Sequence, residues 1–198
     1  MSPTRSRRSS AQIESDAHDA TIRLLIAGGP PAVTMEAVAA AIRTSKPVLY
    51  RRWPDSAALV RDTLLTRARM LIAPPDTGTL RGDVRAVLTQ WAASFTSPAA
   101  ALYPVIVGVM AHDREFARGF RTTVIAWRRE AMRAIYARAA ERGEIAADLP
   151  VDIVSELGQA VLWHRLLITG DPVDEAFVDR ILDEVVVPLS LGRIDRGR

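Results

Sequence analysis

Residues 34–59 read TMEAVAAAIRTSKPVLYRRWPDSAAL, and this stretch decides the fold. Thr34 stands where a helix N-cap belongs, and Glu36 favours the positive end of the helix that follows. Met35, Val38, Ala39 and Ile42 then make an apolar face over two turns. Arg43-Thr44 breaks the pattern. Ser45 caps a third helix from Lys46 through Trp53, with Pro47 in the first turn, where its missing N–H does no harm. Two short helices joined by a tight turn have helix-turn-helix spacing. Pro54-Asp55 restarts the chain, and Asp55 is expected to cap a fourth helix to about Ile72, with Leu59, Val60, Thr63, Leu64 and Ala68 inward.

Working outward, Ile13 to Ala27 carries a helical apolar pattern and stops at Gly28-Gly29-Pro30-Pro31. Pro74-Pro75-Asp76-Thr77-Gly78 is the clearest interdomain punctuation. Beyond it, Leu80, Val84, Leu88, Trp91 and Phe95 step at helical intervals, and a shorter apolar helix follows around Val105 to Ala111. Phe116, Phe120, Val124, Trp127, Ala131 and Ile135 share the register of one long helix ending at Gly143. The next helix, Asp152 to Thr169, is apolar on more than one face. The last is expected to start at an Asp171 cap. No stretch alternates like a strand, so the chain reads as all-α, with an N-terminal helix-turn-helix domain and a larger C-terminal helical domain. The expected division is a flexible basic arm over 1–12, the helix-turn-helix domain over 13–54, a helical domain over 55–191 whose first helix, 55–73, connects the two, and a flexible tail over 192–198.

The chain has 198 residues, 48% hydrophobic, and no cysteine, which excludes a disulfide scaffold and any thiolate metal or redox site. Its N-terminus lacks the apolar run of a signal peptide, so a cytoplasmic location is expected. The uncharged stretch Ala86 to Ala111 is broken by Gln90, Ser94, Pro98 and Pro104 and reads as a buried segment rather than a membrane span. The formal charge is +3, unevenly spread. Residues 1–53 hold eight basic groups against four acidic ones, whereas 54–198 hold 18 against 19. A small polyanion-binding unit joined to an electrically neutral body leaves this footprint, and a solvated face with a loose arginine-rich tail leaves the same one.

A helix-turn-helix works because its second helix enters the major groove of DNA while the first helix and its cap hold phosphates. In a helix that starts at Lys46, Leu49 and Trp53 lie four apart and point into the core. Lys46, Pro47, Val48, Tyr50 and Arg51 are left towards the groove and backbone. Lys46 suits guanine edges or phosphate, Pro47 and Val48 a thymine methyl, and the Tyr50 and Thr34 hydroxyls phosphate oxygens. Thr44 and Ser45 complete the candidate DNA-binding set at the turn.

Gly29, Thr34-Met35, Val38-Ala39, Ser45-Lys46, Leu49-Tyr50-Arg51, Trp53-Pro54 and Ala58-Leu59 fall at the spacing of one family. Residues 13 to 65 resemble the DNA-binding domain of the TetR (tetracycline repressor-like) transcriptional regulators. The resemblance implies a bacterial homodimer that represses transcription at a pseudo-palindromic operator until a small ligand binds. Two positions depart from the pattern. Arg43 stands where the family usually has a turn glycine, and a left-handed arginine costs on the order of 1 kcal/mol. Ser56 stands where a phosphate-contacting lysine is frequent. Arg5, Arg7 and Arg8 resemble basic extensions that reach a minor groove, or serve only as a solubilising tail.

The second domain resembles the family more loosely, through Gly143-Glu144-Ile145, the stretch Leu162 to Gly170 and Phe177-Val178-Asp179. By that resemblance the last two long helices pair across a dimer, against the alternative that the Asp152 to Thr169 helix is a purely intramolecular core helix. Leu157, Gly158, Val161, Phe177, Val178, Ile181, Leu182 and Val185 are the candidate interface, with Leu182→Arg expected to break it. A ligand pocket is expected among Trp91, Phe95, Tyr103, Val107, Met110, Trp127 and Trp163, whose apolar walls suit a small hydrophobic molecule. His112 and His164 read as ordinary side chains. No His-Glu-x-x-His, P-loop or nucleophile-elbow motif occurs, so no catalytic set, metal or cofactor is expected. The competing class is a helical carrier or interaction protein that binds an apolar molecule without reading DNA. Salt separates the two, because only phosphate contacts make affinity fall steeply with ionic strength.

Overall fold

A computed structural model describes residues 9–68, 74–146 and 148–192, and these are helices, turns and connections with no strand among them. The Arg5, Arg7 and Arg8 arm, the expected end of the fourth helix at Ile72 and most of the C-terminal tail lie outside the described residues. No helix among the described residues is long and apolar enough to cross a membrane. The chain forms two compact units. One comprises Met1–Met70 with Ala101–Phe120, and the other Leu71–Ala100 with Arg121–Arg198. This differs from the expected division at residue 54. The connecting helix and the segment after Ala100 pack with the helix-turn-helix rather than with the rest of the larger domain.

In the first unit, α1 (Ser10–Gly28) carries Ala17, Ala20 and Leu25 inward and ends at Gly29, which holds φ at 67°. Helix α2 (Met35–Ala41) starts at the Thr34 cap, whose hydroxyl accepts the Ala37 N–H at 3.0 Å. Helix α3 (Lys46–Tyr50) follows the turn and ends sooner than expected, with Arg51 and Arg52 in a turn before Trp53. Helix α4 (Ser56–Ala68) is capped by Asp55, which accepts the Ala58 N–H at 2.7 Å. Val38, Leu49, Leu59 and Leu64 are at most 1% exposed and form the centre of this core.

Two polar struts brace that core. Asp62 of α4 accepts the Trp53 indole N–H at 2.8 Å and lies 3.1 Å from Nε2 of the buried His18 of α1, so one carboxylate ties α1 and the end of the recognition segment to α4. The Arg52 guanidinium donates to the Ser10 carbonyl and hydroxyl, tying the end of the helix-turn-helix to the start of α1. Helices α6 (Leu102–His112) and α7 (Arg114–Phe120) complete the unit. Arg61 of α4 holds Asp113 at their junction at 3.0 Å, and the other oxygen of Asp113 accepts the Phe116 N–H at 2.9 Å.

The second unit is built on α5 (Leu80–Thr96), against which α8 (Ala126–Glu141), α9 (Val151–His164) and α10 (Glu175–Ile181) pack. The expected long helix through Ile135 is helical throughout, with a π-turn at Arg121–Ile125 before α8. Similar π-turns follow α9 at Arg165–Thr169 and α10 at Leu182–Val186, the latter leading into α11 (Val187–Ser190). Helix α10 is capped by Asp174, not Asp171, and the Asp174 carboxylate accepts the Phe177 N–H at 2.8 Å. Arg81 and Arg85 of α5 clamp α10 and the π-turn after it through Asp179 and Asp183, at 2.8 Å for Arg85 to Asp179 and 2.8 Å for Arg81 to Asp183.

Candidate nucleic-acid interface

The anchors of the recognition segment lie inward, with Leu49 at 0% and Trp53 at 5% exposure. Holding those two positions turns the remainder of the segment outward: Ser45, Lys46, Pro47, Tyr50 and Arg51 are exposed, and Thr44 and Val48 are half-buried. Tyr50, at 48%, is among the most exposed large hydrophobic side chains of the described residues. Ser45 makes no capping hydrogen bond to its own helix. Its hydroxyl is therefore not committed to α3 and can face a phosphate. The Thr34 hydroxyl, by contrast, already caps α2.

Lys46 is not simply a solvated cation. Its ammonium lies 2.6 Å from Glu36 Oε1, joining the first turn of α2 to the first turn of α3. That hydrogen bond holds the Glu36 carboxyl below the usual carboxylate range and raises the Lys46 ammonium above its ordinary value. Both side chains are about half exposed or more, so the pair is weak and exchangeable. Sequence spacing concealed this contact, because the two residues sit ten apart across a turn.

Arg43 takes φ 53°, the sole non-glycine residue with positive φ among those described. The turn keeps its left-handed residue even though arginine occupies it. Glu14, His18 and Asp62 present ligand-type atoms within 4.8 Å of one another. Asp62 is already engaged by Trp53 and His18.

The seven residues expected to line one pocket fall into both units. Trp91, Phe95 and Trp163 form an aromatic cluster in the second unit, with ring centroids 5.6–6.0 Å apart, and the Arg128 guanidinium covers Trp91 at 4.0 Å. Trp127, on α8 of the same unit, is half-buried. Tyr103, Val107 and Met110 are on α6 of the first unit. A cavity of about 650 Å³ does lie in the first unit, between α4 and α6, and none of the seven lines it. Its α6 wall is the neighbouring face, Pro104, Val105, Gly108, Val109 and His112. The sequence picked out the helix but not the face.

The candidate dimer residues need a similar correction. Val178, Ile181 and Leu182 are at most 3% exposed within the single chain, so they have no surface left to give a partner. A Cβ on Gly158 would meet Leu88 Cδ1 at 2.9 Å, so this glycine serves the approach of α9 to α5 inside the unit. Phe177 lies under the Arg165 guanidinium at 3.4 Å. Leu157, Val161 and Val185 are half-buried, and the apolar residues that α9 and its π-turn leave most open are Ile153, at 59%, and Ile168, at 73%.

Comparison with known proteins accords with this geometry. Residues 18–63 match the family described as "Bacterial regulatory proteins, tetR family", and residues 74–185 match "Tetracyclin repressor-like, C-terminal domain". The chain is 31% identical over 169 residues to the "DNA-binding transcriptional repressor TetR" of Mycobacteroides abscessus, covering 85% of this chain and 88% of that one. It is 29% identical over 155 residues to the "Uncharacterized HTH-type transcriptional regulator YdeS" of Bacillus subtilis, covering 78% of each. Among solved structures, the TetR family transcription regulator SCO0332 aligns at a TM-score of 0.65 and 30% identity, covering 88% of this chain and 96% of that one. A putative transcriptional regulator from Pseudomonas aeruginosa PAO1 shares the fold at a TM-score of 0.76, with 18% identity and 98% and 97% coverage. The chain belongs to the tetR family and is a helix-turn-helix transcriptional regulator.

Proposed function

We propose that this regulator is a homodimeric repressor that binds a pseudo-palindromic operator in the bacterial cytoplasm and is released by a small, mostly apolar ligand. The observation that carries the reading is the exposed face of α3. Pro47, Tyr50 and Arg51 stand out from a segment whose Leu49 and Trp53 are buried and whose Trp53 is held by Asp62. Such a short helix, fixed from behind and polar in front, suits the major groove, with Lys46 and Arg51 for bases or phosphates and the Tyr50, Ser45 and Thr44 hydroxyls for the backbone. The repressor sense draws on the printed name of the Mycobacteroides abscessus relative.

Dimerisation is assigned to the outward stripe of Ile153, Leu157, Val161 and Ile168, with Val185 beside it. Two copies would bury apolar surface that water otherwise meets. The Trp91, Phe95 and Trp163 cluster, together with Trp127 on α8 of the same unit, is the ligand wall proposed for the second unit. Two-fold symmetry then sets half-sites about 34–36 Å apart or a multiple of that.

The test is selection of genomic fragments by the purified protein, followed by salt titration of the enriched sequence. A two-fold symmetric motif whose affinity falls steeply with salt is the expected result. Absence of any enriched sequence, together with salt-insensitive binding of apolar molecules, would replace this reading with that of a carrier.

A further inference from the structure

Glu14 and His18 lie four apart on α1 and so share one face of that helix on successive turns. Asp62 reaches the same place from α4, 44 residues beyond His18, and a separation of that size leaves no motif for sequence spacing to reveal. One oxygen of each carboxylate and one nitrogen of the imidazole fall within 4.8 Å of one another. The DNA-reading face of α3 uses none of the three.

The surroundings of the cluster are those of a metal ligand set. His18 is only 5% exposed, and its ring packs on the Trp53 indole with centroids 5.7 Å apart and planes at 54°, so the imidazole is held in place before an ion arrives. The Trp53 N–H donates to Asp62 Oδ2 at 2.8 Å, the kind of outer hydrogen bond that orients a ligating carboxylate. Asp62 Oδ1 accepts no hydrogen bond among the described residues, so the carboxylate can meet a cation without giving up the indole. The neighbouring Asp19 is neutralised by Arg67, whereas no lysine or arginine pairs with Glu14 or Asp62 among the described residues. Two carboxylates and an imidazole lone pair make a donor set that a dication matches in charge.

The spacing fits as well. His18 Nε2 stands 3.1 Å from Asp62 Oδ2, close to the edge of about 3.4 Å that separates two ligands placed tetrahedrally about 2.1 Å from zinc. Glu14 is exposed, and a change in its side-chain torsions closes the remaining gap.

We propose that Glu14, His18 and Asp62 bind one zinc ion per chain, with water completing the coordination, and that the ion staples α1 to α4 behind the recognition segment. The ion takes the place of the proton shared between His18 and Asp62. A nitrogen donor among three ligands selects zinc over Mg²⁺ and Ca²⁺, which are held by oxygen ligands. The site is independent of the operator and of the repressor reading.

The experiment is calorimetric titration of the untagged, full-length protein with zinc chloride, accompanied by thermal melts with and without zinc. Cobalt(II) titration, followed through its visible absorption, supplies a spectroscopic signature of the site. The expected result is saturable binding of one zinc per chain, a melting temperature that rises with zinc, and no rise with magnesium at the same concentration. Glu14→Gln removes an exposed ligand without disturbing the core. It should melt like the wild type in the absence of metal, bind zinc at least about tenfold more weakly, and lose the cobalt absorption. A double variant, His112→Gln with His164→Gln, removes the other two histidines of the chain, both exposed, and should bind zinc like the wild type. The proposal is overturned if no saturable zinc binding occurs, if Glu14→Gln binds zinc as tightly as the wild type, or if the double variant abolishes binding. Binding at the three residues without a rise in melting temperature overturns the staple.

Discussion

Arg43 holds a left-handed φ of 53° because the turn between α2 and α3 needs it, and arginine has no steric licence for that region. Arg43→Gly removes the strain but widens the unfolded ensemble, so the net change is between zero and about 1 kcal/mol of stabilisation. Arg43→Val, β-branched, costs about 1 kcal/mol or more. Urea midpoints of the three proteins check both, and a neutral valine variant would mean the turn relaxes to another conformation. The strain was legible in the sequence, since the motif spacing put Arg43 in the turn. Asp62 was not legible, because its partners His18 and Trp53 reach it from another helix and from the end of the recognition segment. Asp62→Ala leaves the Trp53 indole N–H and the buried His18 ring without their acceptor, and should lower stability by about 2 kcal/mol. Asp62→Asn, keeping one acceptor oxygen, should lose less, and equal losses in denaturant unfolding would discount the strut.

At the scale of elements, periodicity reveals that a helix exists more readily than which of its faces is covered. Helix α5 was readable because Leu80, Val84, Leu88 and Phe95 make one apolar stripe, and all four are buried. Helix α6 is apolar all round, so nothing in its spacing separates the Tyr103, Val107 and Met110 face from the one on the cavity. The same ambiguity led the dimer assignment to Val178, Ile181 and Leu182, which the unit keeps for its own core. Leu182→Arg would therefore unfold the second unit rather than separate two intact chains. Asp83, fully buried in the first turn of α5, escaped the sequence reading, since a charged residue there looks like an ordinary helix-start acid. Burial pushes its carboxyl up. The Thr77 N–H at 2.6 Å, the Thr77 hydroxyl at 2.8 Å and Arg138 at 3.2 Å outweigh that and hold it below the usual value. A depressed folded pKa gives stability that is fully present above the unfolded value, near 3.9, and is lost as pH falls through the folded value. Asp83→Ala should cost about 3 kcal/mol at neutral pH and flatten the acid limb of the unfolding profile below about pH 4. Thermal melts of both proteins between pH 7 and pH 3 test this, and parallel acid limbs would assign the acid sensitivity elsewhere.

For the whole molecule, the uneven charge and the helix-turn-helix spacing carried the function, while the division into units did not follow from sequence. The segment after Ala100 packs with the first unit although it is separated from it by α5 in the chain. No local pattern announces that kind of return. The proposed labour is divided between surfaces, with α3 reading DNA and the outward stripe of α9 and its π-turn joining two copies, and this makes separable demands on substitutions. Tyr50→Ala should weaken operator binding about tenfold and leave both the dimer and the salt slope unchanged, because the phenol contributes a hydrogen bond and no charge. Arg51→Ala should weaken binding across all sequences and reduce the salt slope by about 1, as the loss of one phosphate contact requires. Ile168→Glu places a charge on the most exposed apolar side chain of the described residues. It should leave the fold intact, shift sedimentation towards monomer, and weaken operator binding because a half-site alone is held by half the contacts. Equilibrium sedimentation with fluorescence anisotropy at two salt concentrations distinguishes the three. An Ile168→Glu protein that remains dimeric would move the interface off this stripe, and a Tyr50→Ala protein that loses the dimer would show the two surfaces to be one.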